Sequence, residues 1–255
     1  MRVLILGGTG DARELAVRVA NMTGVEAIAS LAGATRQPTA PLGNVRVGGF
    51  GGVSGLVNYL RENQIDVLID ATHPFAAQIS DNAAQAAQEV GISRLLLNRL
   101  HWEKLPGDDW IEVDNHTNAA LALENQAQRV FLTIGRQEIS AFAYLQNIWF
   151  LMRMIDPPKA DSLIPKGLIL YDKGPFNLEQ EREILIQYEI DTIVSKNSGG
   201  NATYPKIIAA RELGIKVVMV KRPPVPMGEE VADVEGVVNW LREKVKNSLN
   251  QNVQD

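Results

Sequence analysis

Apolar residues in this chain come in short runs, each followed by a polar or glycine-bearing turn and then by a stretch in which apolar positions recur every three or four residues. The first cycle is the clearest. Val3 to Leu6 is continuously apolar, Gly7, Gly8 and Gly10 allow a sharp reversal, and Ala12, Leu15, Ala16 and Val19 follow with helical spacing. A second strand is predicted over Val25–Ser30, a brief strand with another glycine cluster over 45–52 (VRVGGFGG), and a helix from Val53 to Asn63. DVLIDATHPFAAQISDNAAQAAQEVG repeats the form as a strand from Val67 to Asp70, a polar turn from Ala71 to Pro74 and an alanine-rich helix. Arg94–Leu97 supplies a further strand.

The alternation breaks at LNRLHWEKLPGDDW, where mixed charge, Pro106 and Gly107 mark a domain boundary. It restarts with RVFLTIGRQEISAF, read as a strand, a turn at Gly135 and a short helix, and with IWFLMRMIDPP, an apolar strand stopped by two prolines. LILYDKGPFNLEQEREILIQ and DTIVSKNSGGNATYPKIIAARELG are each strand, turn and helix; IKVVMVKRPP is a last buried strand, and a helix near Val234 to Lys246 closes the pattern. About ten strands alternating with helices in two blocks predict an α/β protein of two doubly wound, Rossmann-like domains rather than one eight-stranded barrel. The predicted division is 1–100 for the first domain, 101–128 for a connecting segment and 129–255 for the second domain.

Composition narrows the chemistry. With 255 residues, 45% hydrophobic and 22% charged, the chain has ample material for such a core. A formal net charge of −5 argues against non-specific nucleic-acid binding, which needs a basic face. The absence of cysteine excludes disulfides, iron–sulfur clusters, thiolate zinc sites and a cysteine nucleophile together, so redox chemistry here needs a bound cofactor. His73, His101 and His116 share no metal-ligand spacing, and no metal site is expected. The first apolar run is too short for a signal peptide and no segment reaches transmembrane length, which predicts a cytoplasmic protein.

The first glycine turn leaves backbone N–H groups at a helix N-terminus, where partial positive charge favours a phosphate. The dinucleotide spacing G-x-G-x-x-G/A can be laid on Gly8 and Gly10, but Arg13 then takes its third position. Asp11 and Glu14 form a box of capping type and put carboxylates where a phosphate would sit. The stretch reads either as a nucleotide turn or as a tight connection closed by an Asp11 cap. Ser30 ends the second predicted strand where an NAD-binding unit carries an acid, and Arg36 follows; a hydroxyl and a cation there suit the 2′-phosphate of NADPH, unless Arg36 is a solvated loop residue. Asp70, Thr72 and His73 lie at the carboxyl end of a strand, the edge at which open α/β sheets bind ligands.

In the second block, basic residues follow strands one after another: Arg136, Lys173, Lys196, then Lys221 with Arg222, while Arg153 lies inside an apolar strand. Arg99 ends the last strand of the first block. Cations at successive strand ends point to a pocket for a polyanion. The prolines of KRPPVPMGEE (221–230) restrict either a lid or a stiff linker to the final helix.

GGTGDAR, VGGFGG, DATHPFA, TIGRQE, WFLMRMIDPP, DKGPF and SKNSGG, in this order across most of the chain, resemble the precorrin-6A reductase (cobalt-precorrin-6A reductase) family of cobalamin biosynthesis. That resemblance implies NADPH-dependent reduction of one double bond of the precorrin macrocycle, with hydride to C19 and a proton to C18. It implies two Rossmann-like domains, one for coenzyme and one for substrate, whose sheets exchange their last strands, placed here near Leu95 and Val218. Gly7, Gly8, Thr9 and Gly10 would cradle the cofactor phosphates with Asp11 and Thr72 close by, and Ser30 and Arg36 would meet the 2′-phosphate. The anionic tetrapyrrole needs cationic partners, for which Arg99, Arg136, Arg153, Lys173 and Lys196 are the candidates, with Ser198 and Gly199 donating from the following turn. His73 or Lys196, ahead of Tyr204, would deliver the proton, with solvent as the rival. Product would be handed to the next methyltransferase of the pathway. Two other readings remain: a non-catalytic NADP-binding sensor, and a short-chain dehydrogenase or epimerase. The latter needs a tyrosine four residues before a lysine, and none of Tyr59, Tyr144, Tyr171, Tyr188 and Tyr204 has that partner.

Overall fold

The computed structural model describes residues 1–31 and 44–251, so Arg36 lies outside the described residues. The chain divides into two units, one built from Met1–Arg99 with Pro224–Asp255 and the other from Leu100–Pro223.

The first unit begins with β1 (Arg2–Leu6), α1 (Gly10–Ala20), β2 (Glu26–Leu31), β3 (Asn44–Val47), α2 (Val53–Glu62), β4 (Val67–Asp70), α3 (Ala77–Val90) and β5 (Ser93–Leu97). The second contains β6 (Trp110–Val113), α4 (His116–Leu123), β7 (Arg129–Leu132), β8 (Trp149–Met154), β9 (Gly167–Tyr171), α5 (Leu178–Gln187), β10 (Thr192–Lys196), α6 (Pro205–Leu213) and β11 (Lys216–Val220). The chain then returns to the first unit with β12 (Glu229–Val231) and α7 (Val234–Gln251). The short helix expected in RVFLTIGRQEISAF is a 3-10 turn over Ile139–Phe142.

Both sheets have six parallel strands, ordered β12-β5-β4-β1-β2-β3 and β6-β11-β10-β7-β8-β9. Each is a 3-2-1-4-5-6 order, with β1 beside β4 in the first and β7 beside β10 in the second. The sixth position is where chain order and sheet order part. β6 follows β5 in the chain yet pairs with β11, and β12 follows β11 yet pairs with β5. The sheets therefore exchange their sixth strands, and the exchanged strands are β6 and β12 rather than those near Leu95 and Val218. The same topology corrects the predicted division. Residues 101–128 carry β6 and α4 instead of forming a connector, and β12 and α7 belong to the first unit instead of the second.

Alternation along β1 explains why its run is continuously apolar. Val3 and Ile5 pack with Leu15 and Val19 of α1 and Val237 and Leu241 of α7 on one face. Leu4 and Leu6 pack with Leu56 and Leu60 of α2 and Ala83 and Ala87 of α3 on the other. A strand covered on both faces has no polar side to show. In the second unit Phe131, Leu151, Ile193, Val217 and Met219 form the corresponding core with Leu185, Ile207 and Trp102.

Candidate active site

In the first sheet the strand order reverses between β1 and β4, so the segments after Leu6 and Asp70 open together at the carboxyl edge. The turn after β1 is capped by Thr9, whose hydroxyl accepts from the Ala12 N–H at 3.0 Å and donates to the Ala71 carbonyl at 3.0 Å. The cap expected at Asp11 is instead Thr9, two residues earlier, and Thr9 ties the turn to the segment after β4. Gly7 is close-packed: a Cβ there would stand 3.3 Å from the Ala12 Cβ. Gly8, at φ 121, and Gly10 face open space, with nothing within 4 Å of a Cβ at either. Asp11 accepts from Arg99 Nη1 at 2.6 Å, so the carboxylate in the first helical turn is matched by a cation brought from the end of β5.

Asp70 is fully buried and its Oδ1 accepts from the Thr72 N–H (3.1 Å) and hydroxyl (2.7 Å). Its Oδ2 is buried with no partner among the described residues. Such an oxygen is costly unless a donor arrives from elsewhere. A bare turn, a neutralised carboxylate and an orphaned acceptor at one sheet edge fit the phosphates and hydroxyl groups of a dinucleotide. His73 follows, with Nδ1 accepting from the Phe75 N–H at 3.2 Å. Ser30 is buried and its hydroxyl lies 3.4 Å from Arg46 Nη1. Arg46 stacks 3.8 Å over Phe50 and also donates to the carbonyls of Gly48 and Gly49. The cation beside Ser30 is placed by register across the β2–β3 pair, where Ser30 faces Arg46, a neighbour that spacing along the loop after Ser30 does not indicate.

In the second sheet the reversal lies between β7 and β10. Lys196 ends β10 and Glu138 lies in the segment after β7. Burial pushes the Lys196 ammonium below the ordinary lysine range while Glu138 opposes that shift. His116, first residue of α4, sets Nδ1 3.6 Å from Glu138 Oε2, and its Nε2 is buried without a partner among the described residues. Burial lowers its pKa, Glu138 raises it and Lys196 lowers it further. Neither His116 nor Glu138 was singled out in the sequence, because their pairing joins segments that no local pattern links.

The other basic candidates separate. Arg136 Nη1 donates to the Pro157 carbonyl at 2.9 Å beside this same edge. Lys173 is exposed, just past β9 at the far end of the sheet. Arg153 is a correction: it is 6% exposed, its guanidinium forks onto Glu181 at 2.5 and 3.2 Å, and it stacks 3.6 Å over Phe176. Glu181 is itself fully buried, so Arg153 serves an interior ion pair instead of meeting substrate. Lys206, also buried, lies near this pair; burial, helped by Arg153, brings its pKa down to about 7 against the pull of Glu181. Ser198 and Gly199 follow Lys196 directly, but the Ser198 N–H is spent on the Lys196 carbonyl at 2.7 Å.

Two parallel sheets of 3-2-1-4-5-6 order, one with an open glycine turn and the other with cations at its reversal, define an α/β protein of the doubly wound Rossmann class. The chain matches the model of the precorrin-6x reductase CbiJ/CobK family over residues 2–242, and it belongs to that family. It is 48% identical to a precorrin-6A reductase of Rhodococcus erythropolis, over 94% of this chain and 97% of that protein. It is 28% identical to a cobalt-precorrin-6A reductase of Priestia megaterium, again over 94% and 97%. The solved structure of a CobK precorrin-6A reductase is similar with a TM-score of 0.90 at 40% identity, covering 95% of this chain and 96% of that one. No helix among the described residues is long and apolar enough to cross a membrane.

Proposed function

We propose that this protein reduces precorrin-6A, or its cobalt form, with NADPH as the reductant, hydride going to C19 and a proton to C18. Membership of the family supports the reaction class, and the relatives at 48% and 47% identity are named for the metal-free substrate. The observation that carries the reading is the turn at Gly8 and Gly10, both facing open space, in the first unit that also holds the orphaned Asp70 Oδ2, in a chain of this family. When bound, NADPH supplies the hydride. Gly8, Thr9 and Gly10 would receive its phosphates through backbone N–H groups, whereas the Gly7 N–H is spent on the Ser30 carbonyl at 2.9 Å, and Arg99 keeps Asp11 from repelling them. Asp70 Oδ2 would accept a hydroxyl, and Ser30 with Arg46 would meet the adenosine end.

Arg136, Lys173, Lys196 and Gly199 are the donors for the substrate's carboxylates. Lys196 is the preferred proton donor: burial loosens its hold on the proton relative to an exposed lysine, against the opposing pull of Glu138, and an ammonium that releases its proton more readily is the better acid. His73, whose Nδ1 lies 3.2 Å from the Phe75 N–H, is the alternative. Decay of NADPH absorbance with precorrin-6A and with its cobalt form tests the reading. No decay with either would refute it, and coenzyme binding without oxidation would leave a non-catalytic NADP-binding role.

A further inference from the structure

The loop after β10 has its carbonyl groups held from inside the second unit, except that of Gly199. Arg222 gives Nε to the Asn197 carbonyl at 2.8 Å and Nη2 to that of Ser198 at 3.0 Å. Trp102 gives Nε1 to the Gly200 carbonyl at 2.9 Å. The Tyr204 N–H reaches the Asn201 carbonyl at 3.4 Å, the Phe176 N–H that of Ala202 at 3.1 Å, and Lys206 Nζ that of Thr203 at 3.1 Å.

In a trans peptide the carbonyl of one residue and the N–H of the next point in opposite directions. Drawing the Ser198 and Gly200 carbonyls inward therefore turns the Gly199 and Asn201 N–H groups outward. Neither amide has an acceptor among the described residues. Gly199 and Gly200 sit at φ 66 and 71, and a Cβ at Gly199 would stand 2.0 Å from the Leu100 carbonyl oxygen, so only glycine fits there.

Trp102 is itself fixed before it fixes the loop. Its backbone N–H donates to Asn197 Oδ1 at 2.8 Å, and its carbonyl accepts from Asn197 Nδ2 at 2.9 Å. Its ring lies 5.5 Å from that of Tyr204, with Lys206 Nζ 5.1 Å over its face.

We propose that Trp102 is a positioning residue for substrate binding: by holding the Gly200 carbonyl inward it keeps the Asn201 N–H, with that of Gly199, turned toward one carboxylate of the anionic substrate. The proposal rests on the reading of this protein as a precorrin-6A reductase. Without the indole N–H the Gly200–Asn201 peptide is free to rotate, and a carbonyl oxygen facing a carboxylate repels it. Preorganised amides lose no such orientation on binding.

The test is Trp102→Phe, which keeps an aromatic ring in the core and removes the donor. KM for precorrin-6A is expected to rise about tenfold, with kcat and the KM for NADPH within twofold of wild type. The second measurement uses 5-fluorotryptophan-labelled wild-type protein, in which the four tryptophans are the fluorine reporters. The Trp102 signal is assigned by its loss in Trp102→Phe or, should that variant not fold, by elimination with Phe variants of Trp110, Trp149 and Trp240. That signal is expected to shift when precorrin-6A is added without coenzyme. Unchanged KM, a fall in kcat and in both substrates' binding together, or an unmoved Trp102 signal overturns the proposal while leaving the reductase reading intact. A wild-type protein that neither binds nor reduces precorrin-6A overturns both.

Discussion

The turn after β1 and the loop after β10 occupy equivalent edges of two sheets with one strand order, yet they are built from opposite materials. The first is bare backbone: a threonine cap, two glycines facing open space, and an acid already matched by Arg99. The second is surrounded by cations, with Lys196 at its start, Arg222 and Lys206 gripping its carbonyls and Arg136 at the neighbouring strand end. The pyrophosphate of a dinucleotide needs a close approach to amides at a helix start, which side chains would obstruct. Carboxylates scattered around a macrocycle need charge at several points, and each charge brought inside must be paired or held. On the proposed function, one strand order would thus serve two binding styles, chosen by which residues the loops carry.

The sharpest break in that comparison is Lys196→Met. If Lys196 is the acid, single-turnover hydride transfer slows by roughly 10²–10⁴-fold while coenzyme affinity, read by fluorescence titration, stays at wild-type level. For the wild type, the rate should fall as pH rises through the lowered Lys196 pKa, because the acid must carry its proton; a rate flat with pH assigns the proton to solvent.

Next in size is Arg153→Leu. Leaving Glu181 charged and unpaired in the interior costs about 3–5 kcal/mol, to be read from denaturant midpoints. A variant that keeps its stability and loses only substrate affinity would return Arg153 to the binding surface.

A pH effect on stability comes from Lys206. Below about 7 the buried ammonium burdens the folded state in full. Between about 7 and its ordinary value of 10.5 the unfolded chain holds a proton that the folded chain has released. Stability contributed by this group therefore rises with pH across that window, by at most roughly 1.4 kcal/mol per unit. Lys206→Met should remove that slope, and an unchanged slope would show that Lys206 keeps an ordinary pKa.

The smallest effect distinguishes the bare turn from the cationic loop. Arg99→Ala uncovers Asp11 at the start of α1 and should weaken NADPH binding by about tenfold, more at low salt than at high salt. Asp11→Asn should leave binding equal or tighter. Equal losses in both variants would mean that the pair acts through packing alone.

Much of the architecture was legible because it is local. The β1 turn, the Val67–Asp70 strand and the helices at 10–20 and 53–62 follow from runs, glycines and spacing that lie within a dozen residues. What stayed hidden involves partners far apart in the chain. β6 (WIEV) and β12 (EEV) carry no local mark of which neighbour they join, so the exchange had to come from family resemblance, and its placement was one strand off. Arg153 looked like a ligand because its partner, Glu181, lies on a helix whose spacing made it one acid among several. Trp102 fell in a segment read as a break in the pattern, and its hydrogen bond spans 98 residues. Arg46 escaped because register across a β pair, unlike distance along a loop, is not written in the sequence.

The exchanged sixth strands also set a timetable during synthesis. Leu100–Pro223 is one uninterrupted stretch and emerges complete, whereas the first unit lacks β12 and the α7 residues Val234, Val237, Val238 and Leu241 of its core until the end of the chain arrives. About 130 residues separate β5 from β12, so at about 5–20 residues per second the β5 edge stays open on the ribosome for roughly 7 to 26 seconds. A nascent chain stalled before Glu229 should expose that edge and a half-covered core to any chaperone that recognises apolar strands.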